Sequence, residues 1–323
     1  MTKSIDCVVC GSCVMDLLCR PVRLDEPIGH GRLHPVGPIE VAAGGITSNA
    51  GVTMARLGAS VAVYSYVGKD VWGEVIHTLY QREGIDASPI REHPTLPTST
   101  TVVAIDASGE RSFFHCVGAP RELDARSFLD RLDFFARCRF MLLGYYSLLP
   151  YLENDLPGVL ERLREVGCKT AMDAAGDGGT IKPLDRILPR LDVYVPSLDE
   201  ACHQTGLPVD EDPRRIIEVF RRYCPGGLLG VKLGKNGVLL SPAAKEFIQI
   251  DAVAPPGAVV DTTGAGDSFY GGLLAGLARG CNVEQAGRLG AAAAACCVTT
   301  LGGSAGGKDY AATAALAGLH SDD

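Results

Sequence analysis

From about residue 124 onward, segments of helical spacing alternate with short apolar runs of extended character. A helix at about 124–136 leads to a strand at Arg139 to Leu143, and a helix at about 153–166 leads to Lys169 to Asp173. A helix at about 183–189 precedes Asp192 to Val195. Two more, near 198–205 and 212–223, precede Leu228 to Leu233. A helix between two strands carries the chain back along the sheet, so the strands it joins run parallel. Parallel sheets are covered on both faces. The rhythm therefore predicts an α/β chain with a mainly parallel central sheet between two helical layers.

The N-terminal part follows the same plan with interruptions. Ser4 to Gly11 and Ser60 to Val67 read as strands, and Asn49 to Leu57 and Val71 to Arg82 as helices closed by Gly58 and Gly84. Toward the C-terminus, Val238 to Ser241 and Glu246 to Ile250 read as an antiparallel pair, followed by long helices from about Gly266 and Val283. Two β-rich stretches, 17–42 and 98–117, break the alternation. The second holds runs Ser99 to Asp106 and Arg111 to Val117 around Ala107-Ser108-Gly109-Glu110, a hairpin pattern. These stretches could pair in space as one small sheet. The Ala-rich tail after Gly307, ending Ser321-Asp322-Asp323, is expected to fray.

Composition narrows the partners. The chain has 323 residues, 46% hydrophobic and 21% charged, which supports a large core. Its net charge of −8, with no Lys/Arg block, argues against nucleic acid. The longest apolar stretch near the C-terminus is interrupted by Arg279, Glu284 and Arg288, so no membrane span is expected. The first apolar run, Cys7 to Met15, lies between Asp6 and Asp16 and reads as a strand rather than a signal peptide. Twelve cysteines without small-domain spacing suggest reduced thiols and the cytoplasm. Cys7, Cys10 and Cys13 have a metal-like spacing, but strand alternation would turn Cys10 away from the other two. Cys296-Cys297 reads as small core filler.

Glycine is in excess: 39 residues, about 12% against a usual ~7%. The glycines cluster at Gly44-Gly45, Gly178-Gly179, Gly226-Gly227, Gly264 with Gly266, Gly271-Gly272, Gly302-Gly303 and Gly306-Gly307. Such clusters mark tight turns or backbone brought close to a ligand. The most informative one lies in Asp261-Thr262-Thr263-Gly264-Ala265-Gly266-Asp267-Ser268-Phe269. Phe269, Leu273, Leu274 and Leu277 continue it as a helix, so the glycines sit at a helix N-terminus, where exposed N–H groups favour phosphate. Asp267, in the first turn, could take a proton from a hydroxyl while the N–H groups hold phosphoryl charge. A plain capped helix with Asp in its first turn is the alternative. Gly302 to Lys308 has P-loop spacing, but Asp309 stands where Mg²⁺ chemistry needs Ser or Thr, so these glycines read as turn residues.

Together these residues resemble the ribokinase-like, or PfkB, carbohydrate kinases. Asp261 to Phe269 matches that family's C-terminal signature. The match extends in order through Gly11-Ser12 with Asp16, Gly44-Gly45 with Asn49, and Ala55-Arg56-Leu57-Gly58. It continues through Val67-Gly68-Lys69-Asp70 with Gly73, Val231-Lys232-Leu233-Gly234, and the Ala-rich stretch into Val298-Thr299. The resemblance implies a three-layer, Rossmann-like ribokinase-type α/β fold. It implies a core of 1–16, 43–97 and 118–310, a discontinuous β lid of 17–42 and 98–117, and a C-terminal tail of 311–323.

It also implies an ATP-dependent kinase that phosphorylates a hydroxymethyl group, usually of a sugar. By that analogy Asp267 is the catalytic base, and the N–H groups of Gly264, Ala265 and Gly266 form the anion hole. Asp16, Asn49 and the backbone at Gly44-Gly45 would grip substrate hydroxyls. Ser197, Lys232 and Gly234 would face the nucleotide, with adenine beside Gly234 and the Ala-rich helix. Glu200 fits the family's N-x-x-E motif, which organises Mg²⁺ through water; Ser197 stands at its first position instead of Asn. Ser197 and Glu200 also have the spacing of a helix capping box. Asp261 and Thr263 match positions that bind a monovalent cation, K⁺, in some relatives. In the family the small sheet is a lid over the sugar and often a homodimer surface.

The substrate is less defined. Ribokinase has Gly-Gly-Lys where this chain has Ile46 after Gly44-Gly45. Tyr145 and Tyr146 lie where ribokinase supplies a carboxylate. Arg111 and His115 could reach the pocket from the lid or stand as solvated strand positions. A sugar kinase is the first expectation and a nucleoside (adenosine-like) kinase the second. A non-catalytic ligand-binding protein of the same fold, or a dinucleotide-dependent oxidoreductase lacking its glycine fingerprint, are the readings from other classes.

Overall fold

The computed structural model describes residues 3–26, 29, 31–174 and 181–319. The Gly178-Gly179 pair and Ser321 to Asp323 lie outside the described residues. Fourteen strands are present among the described residues. In chain order they are β1 (Ile5–Gly11), β2 (Val14–Cys19), β3 (Glu40–Gly44), β4 (Val61–Tyr64), β5 (Tyr66–Gly68), β6 (Arg91–His93) and β7 (Ser99–Ile105). There follow β8 (Arg111–Cys116), β9 (Cys138–Gly144), β10 (Lys169–Asp173), β11 (Val193–Tyr194), β12 (Leu228–Lys232), β13 (Val238–Ser241) and β14 (Ile248–Ile250).

Eight strands form the central sheet in the order β14-β13-β12-β11-β10-β9-β1-β4. From β12 to β4 every neighbouring pair is parallel, and β13 and β14 close the edge antiparallel. This is the α/β, mainly parallel architecture that the strand–helix rhythm predicts. Burial explains why the strands read as continuous apolar runs. Along β1, Val8 and Cys10 enter one core, and Cys7 and Val9 enter the other. The first core packs Phe128, Phe135, Leu160 and Phe220 from helices on one face. The second packs Ile46, Met54, Tyr80, Leu273 and Leu289 from helices Ile46–Arg56, Val71–Arg82, Ala265–Arg279 and Val283–Cys297 on the other. Cys10 therefore faces away from Cys7 and Cys13, and burial pushes all three thiols up.

A second sheet has the order β3-β2-β7-β8. It joins the β-rich stretches around residues 17–42 and 98–117. β2 pairs antiparallel with β3 and parallel with β7, and β7 and β8 form the hairpin.

Several elements differ from the sequence expectation. The helix expected over 124–136 is two short ones, Ala125–Leu129 and Leu132–Phe135, because Arg131 leaves helical backbone at φ −129°. The helix expected from Asn49 starts at Ile46, directly after Gly45. The expected strand Ser60 to Val67 is split into β4 and β5, and β6, unforeseen, pairs with β5. The tail expected to fray is in part a helix, Tyr310–Leu316. Asp309 caps it by accepting from the Ala312 N–H at 2.8 Å, and Thr313 and Ala314 are buried. Among the described residues no helix is long and apolar enough to cross a membrane.

Candidate active site

The carboxyl ends of parallel strands bring the site together, as they do in open α/β sheets generally. Gly11 ends β1, Gly144 ends β9 just before Tyr145, Asp173 ends β10, and Lys232 ends β12. The helix Ala265–Arg279 enters this edge with Asp267 in its first turn. Gly264 caps that helix at φ 74°, a backbone region that side-chain-bearing residues rarely adopt. A Cβ there would also lie 2.5 Å from the Cα of Gly303. No side chain caps the helix. The Ala265 N–H donates a long bond of 3.3 Å to the Thr262 carbonyl. The N–H groups of Gly266 and Asp267 belong to the first turn, which has no intrahelical acceptor for them.

Asp267 is buried. Its Oδ2 accepts from Asn49 Nδ2 at 2.8 Å and from the Tyr145 hydroxyl at 2.7 Å. Burial pushes the Asp267 carboxyl up to about 6, and the charge of Asp173 adds to this. The bonds from Asn49 and Tyr145 and the Lys232 ammonium hold it down. Burial, then the neighbouring Asp267 charge, push the Tyr145 phenol well up, so it stays a donor. Tyr145 has left-handed backbone, φ 61°, which is uncommon for a bulky residue and turns its side chain at the strand end. Asn49 thus contacts the Asp267 carboxylate directly. Gly303 also abuts the Asn49 side chain so closely that no Cβ fits there, so Gly303 is packed against the site rather than being a plain turn residue.

Lys232 Nζ lies 3.0 Å from Asp173 Oδ2 and 5.0 Å from the Tyr270 ring centroid. It would stand 3.0 Å from a Cβ on Gly266, which places the ammonium against the helix N-terminus. Burial works against the charge on Lys232, but Asp173, Glu200 and Asp267 outweigh it and the net direction is up. Tyr270 fixes the neighbouring backbone: its hydroxyl accepts from the Val195 N–H and donates to the Met172 carbonyl, each at 2.6 Å.

A cavity of about 770 Å³ opens beside this ammonium. Its walls are mainly apolar: Val238, Val253, Phe269, Ala291, Ala295 and Val298, with Gly234 at the rim and Gly266 and Lys232 at the polar end. Ser197 caps the helix Leu198–Thr205 in a capping box with Glu200. The Ser197 N–H donates to Glu200 Oε2 at 2.7 Å, and the Glu200 N–H donates to Ser197 Oγ at 3.3 Å. Among the described residues no group of three or more His, Cys, Asp and Glu converges as a metal cage.

Asp16 lies in β2, opposite Ala42 of β3 and Thr101 of β7. Burial pushes its carboxyl up to about 6, and a bond with Thr101 opposes that. Gly44, at the end of β3, sits against the Asp16 carboxylate with no room for a Cβ, and Gly45 then starts the helix that carries Asn49. His115 stays exposed, bonded to Thr101 at 2.9 Å. Arg111 is different. Its Nη2 lies 2.8 Å from Asp261 Oδ1 and its Nη1 donates to Thr263 Oγ1, so it reaches the loop before Gly264.

From sequence, Tyr145 stands only in the substrate region and Gly303 only as a turn residue, and Asp173 carries no role; none of them is tied there to Asp267 or Lys232. Tyr145 and Asp173 did lie at predicted strand ends, the one signal available. Their convergence on Asp267 and Lys232 depends on the strand order.

The profile of the pfkB family carbohydrate kinases matches residues 4–309. Fructokinase of Klebsiella pneumoniae is 33% identical over 281 residues, covering 84% of this chain and 83% of its own length. Aminoimidazole riboside kinase of Salmonella typhimurium is 30% identical over 247 residues, covering 73% and 74%. The structure of Arabidopsis thaliana ribokinase complexed with ribose and ATP superposes with a TM-score of 0.84 at 24% identity, covering 99% of this chain and 100% of that one. That likeness establishes the ribokinase fold.

Proposed function

The chain belongs to the pfkB family of carbohydrate kinases, and from that premise we propose an ATP-dependent sugar kinase in which Asp267 is the general base. The observation that carries this reading is the double hold on Asp267 Oδ2 by Asn49 and Tyr145, at the first turn of an uncapped helix. Two donors fix one carboxylate oxygen and leave Oδ1 as the proton acceptor. The substrate's hydroxymethyl O–H gives its proton to Oδ1 while its oxygen bonds to the γ-phosphorus. The bond from that phosphorus to the bridging oxygen breaks, and ADP leaves with the electron pair. The N–H groups at Gly264, Ala265 and Gly266, and the Lys232 ammonium, hold the charge on the transferred phosphoryl group.

The apolar cavity suits the adenine and ribose of ATP, with the triphosphate directed to Lys232 and Gly266. Mg²⁺ bound with the triphosphate would neutralise phosphate oxygens. Glu200 fits its water shell: a carboxylate anchored at a helix start, whose charge is felt at Lys232. Asp16 and the backbone at Gly44-Gly45 face the sugar.

The four-stranded sheet is the lid that excludes water and so limits hydrolysis of ATP. Its exposed apolar residues Val41, Phe113 and Phe114 support a homodimer through the same sheet. Replacing both phenylalanines by Ser should then yield a monomer by light scattering. Free thiols support a cytoplasmic protein. A riboside substrate is the second reading, favoured by the similarity to an aminoimidazole riboside kinase.

The deciding experiment is ADP release with ATP and Mg²⁺ across pentoses, hexoses, sugar acids, sugar phosphates and nucleosides. A sugar that drives turnover supports the reading. Binding of sugars without ADP release would leave a ligand-binding protein instead.

A further inference from the structure

Asp261 is a buried carboxylate, 4% exposed, in the loop that leads into the anion-hole helix. A charge this far from water needs a counter-charge or saturating hydrogen bonds. Asp261 has both. Oδ1 accepts from the Thr263 N–H at 2.7 Å, Oδ2 accepts from the Gly302 N–H at 2.9 Å, and the Arg111 guanidinium stands 2.8 Å from Oδ1. The same guanidinium donates to Thr263 Oγ1.

A monovalent cation at Asp261 and Thr263 does not fit this arrangement. Such an ion needs oxygens whose lone pairs point at it. Here the backbone N–H groups take one lone pair of each carboxylate oxygen, and the Arg111 guanidinium takes the remaining access to Asp261 Oδ1 and the Thr263 hydroxyl, the oxygens such an ion would need. An added cation would also sit beside a fixed positive charge, where like charges repel.

We propose that Arg111 takes the place of the monovalent cation, so that the kinase works without K⁺. Resting on the sugar-kinase reading, this makes Arg111 a positioning residue. Its planar fork binds carboxylate and hydroxyl together, which an ammonium or a spherical ion does with less geometric definition. The fork fixes Asp261 and Thr263, and these fix the turn at Gly264 from which the phosphate-holding N–H groups emerge. Arg111 is the first residue of β8, in the four-stranded sheet, so the counter-charge arrives from the sheet and not from solution. The loop would then be ordered only with that sheet seated over it.

The test compares wild type, Arg111→Ala and Arg111→Lys in KCl and in tetramethylammonium chloride of equal ionic strength. Rate of ADP release and melting temperature are both read. Wild type should show the same rate, within about twofold, and the same melting temperature in both salts. Arg111→Ala should lose roughly tenfold or more of its rate in tetramethylammonium. It should regain part of it in KCl, with a higher melting temperature there, because the emptied pocket now admits the ion. Arg111→Lys keeps the charge and should stay insensitive to K⁺, which holds the test open if the Ala variant fails to fold.

Activation or thermal stabilisation of wild type by K⁺ would overturn the proposal. So would a loss in Arg111→Ala that K⁺ does not restore. If no sugar is phosphorylated, the sugar-kinase reading fails, and the melting temperatures still decide whether K⁺ has a site.

Discussion

The hydroxyl of Tyr145 donates a 2.7 Å hydrogen bond to Oδ2 of Asp267, the same oxygen that Asn49 holds. The relationship joins the end of a sheet strand to the first turn of a helix far along the chain. It orients the carboxylate and opposes the upward push of burial on its pKa.

The first consequence concerns the base itself. Asp267→Asn keeps the size and most contacts of the side chain but cannot take a proton. Turnover should fall by about 10²–10⁴-fold, while ATP affinity measured by calorimetry stays within about threefold. Full activity in this variant would remove Asp267 from the mechanism.

The second concerns pH. A general base acts in its unprotonated form, so with Asp267 in the proposed role kcat/KM should rise with pH through about 6 and be lost below it. The Tyr145 bond lowers the Asp267 pKa, so Tyr145→Phe should move this acid limb to higher pH, by roughly half to one unit. Asp16 is also held near 6, so the wild-type limb should approach a slope of two on a logarithmic plot. Asp16→Asn should reduce that slope to one. A limb that moves to lower pH in Tyr145→Phe would contradict the assigned role of the phenol.

The third concerns the buried ion pair. Lys232 and Asp173 are 14% and 4% exposed, so removing one partner strands a charge. Lys232→Met should cost about 3–5 kcal/mol of unfolding free energy and weaken nucleotide binding. Adding Asp173→Asn should restore most of the stability but not the turnover, because the phosphate contact stays missing. Urea unfolding and ADP release, measured on the same samples, separate the two effects.

The fourth concerns the helix start. Gly264 has φ 74° and lies against Gly303, whereas Gly84 has φ 70° with nothing within 4 Å of a built Cβ. Gly84→Ala should cost about 1–2 kcal/mol of stability and leave kcat unchanged. Gly264→Ala should cost at least as much and also lower kcat by roughly tenfold or more, since the new methyl meets Gly303 and displaces the first-turn N–H groups proposed to hold phosphate.

The α/β class, the parallel sheet and the glycine-marked helix start with Asp267 in its first turn are all legible in the sequence. They are local: periodicity sets each element, and the Asp261 to Phe269 stretch writes helix start, glycine turn and carboxylate within nine residues. Strand boundaries at Lys169, Asp173, Val238 and Ser241 follow for the same reason. The tail helix Tyr310–Leu316 escaped because its Ala-rich pattern carries no sharp periodicity, and buried packing of Thr313 and Ala314 decides it.

What only the tertiary structure decided is which distant side chains meet Asp267 and Asp261. Tyr145 and Asn49 reach one oxygen, Lys232 finds Asp173, and Arg111 arrives at the loop from a separate sheet. No local spacing encodes these pairs. They follow from strand order and from the low-dielectric interior, where a buried charge is tolerated only beside a partner that the fold brings to it.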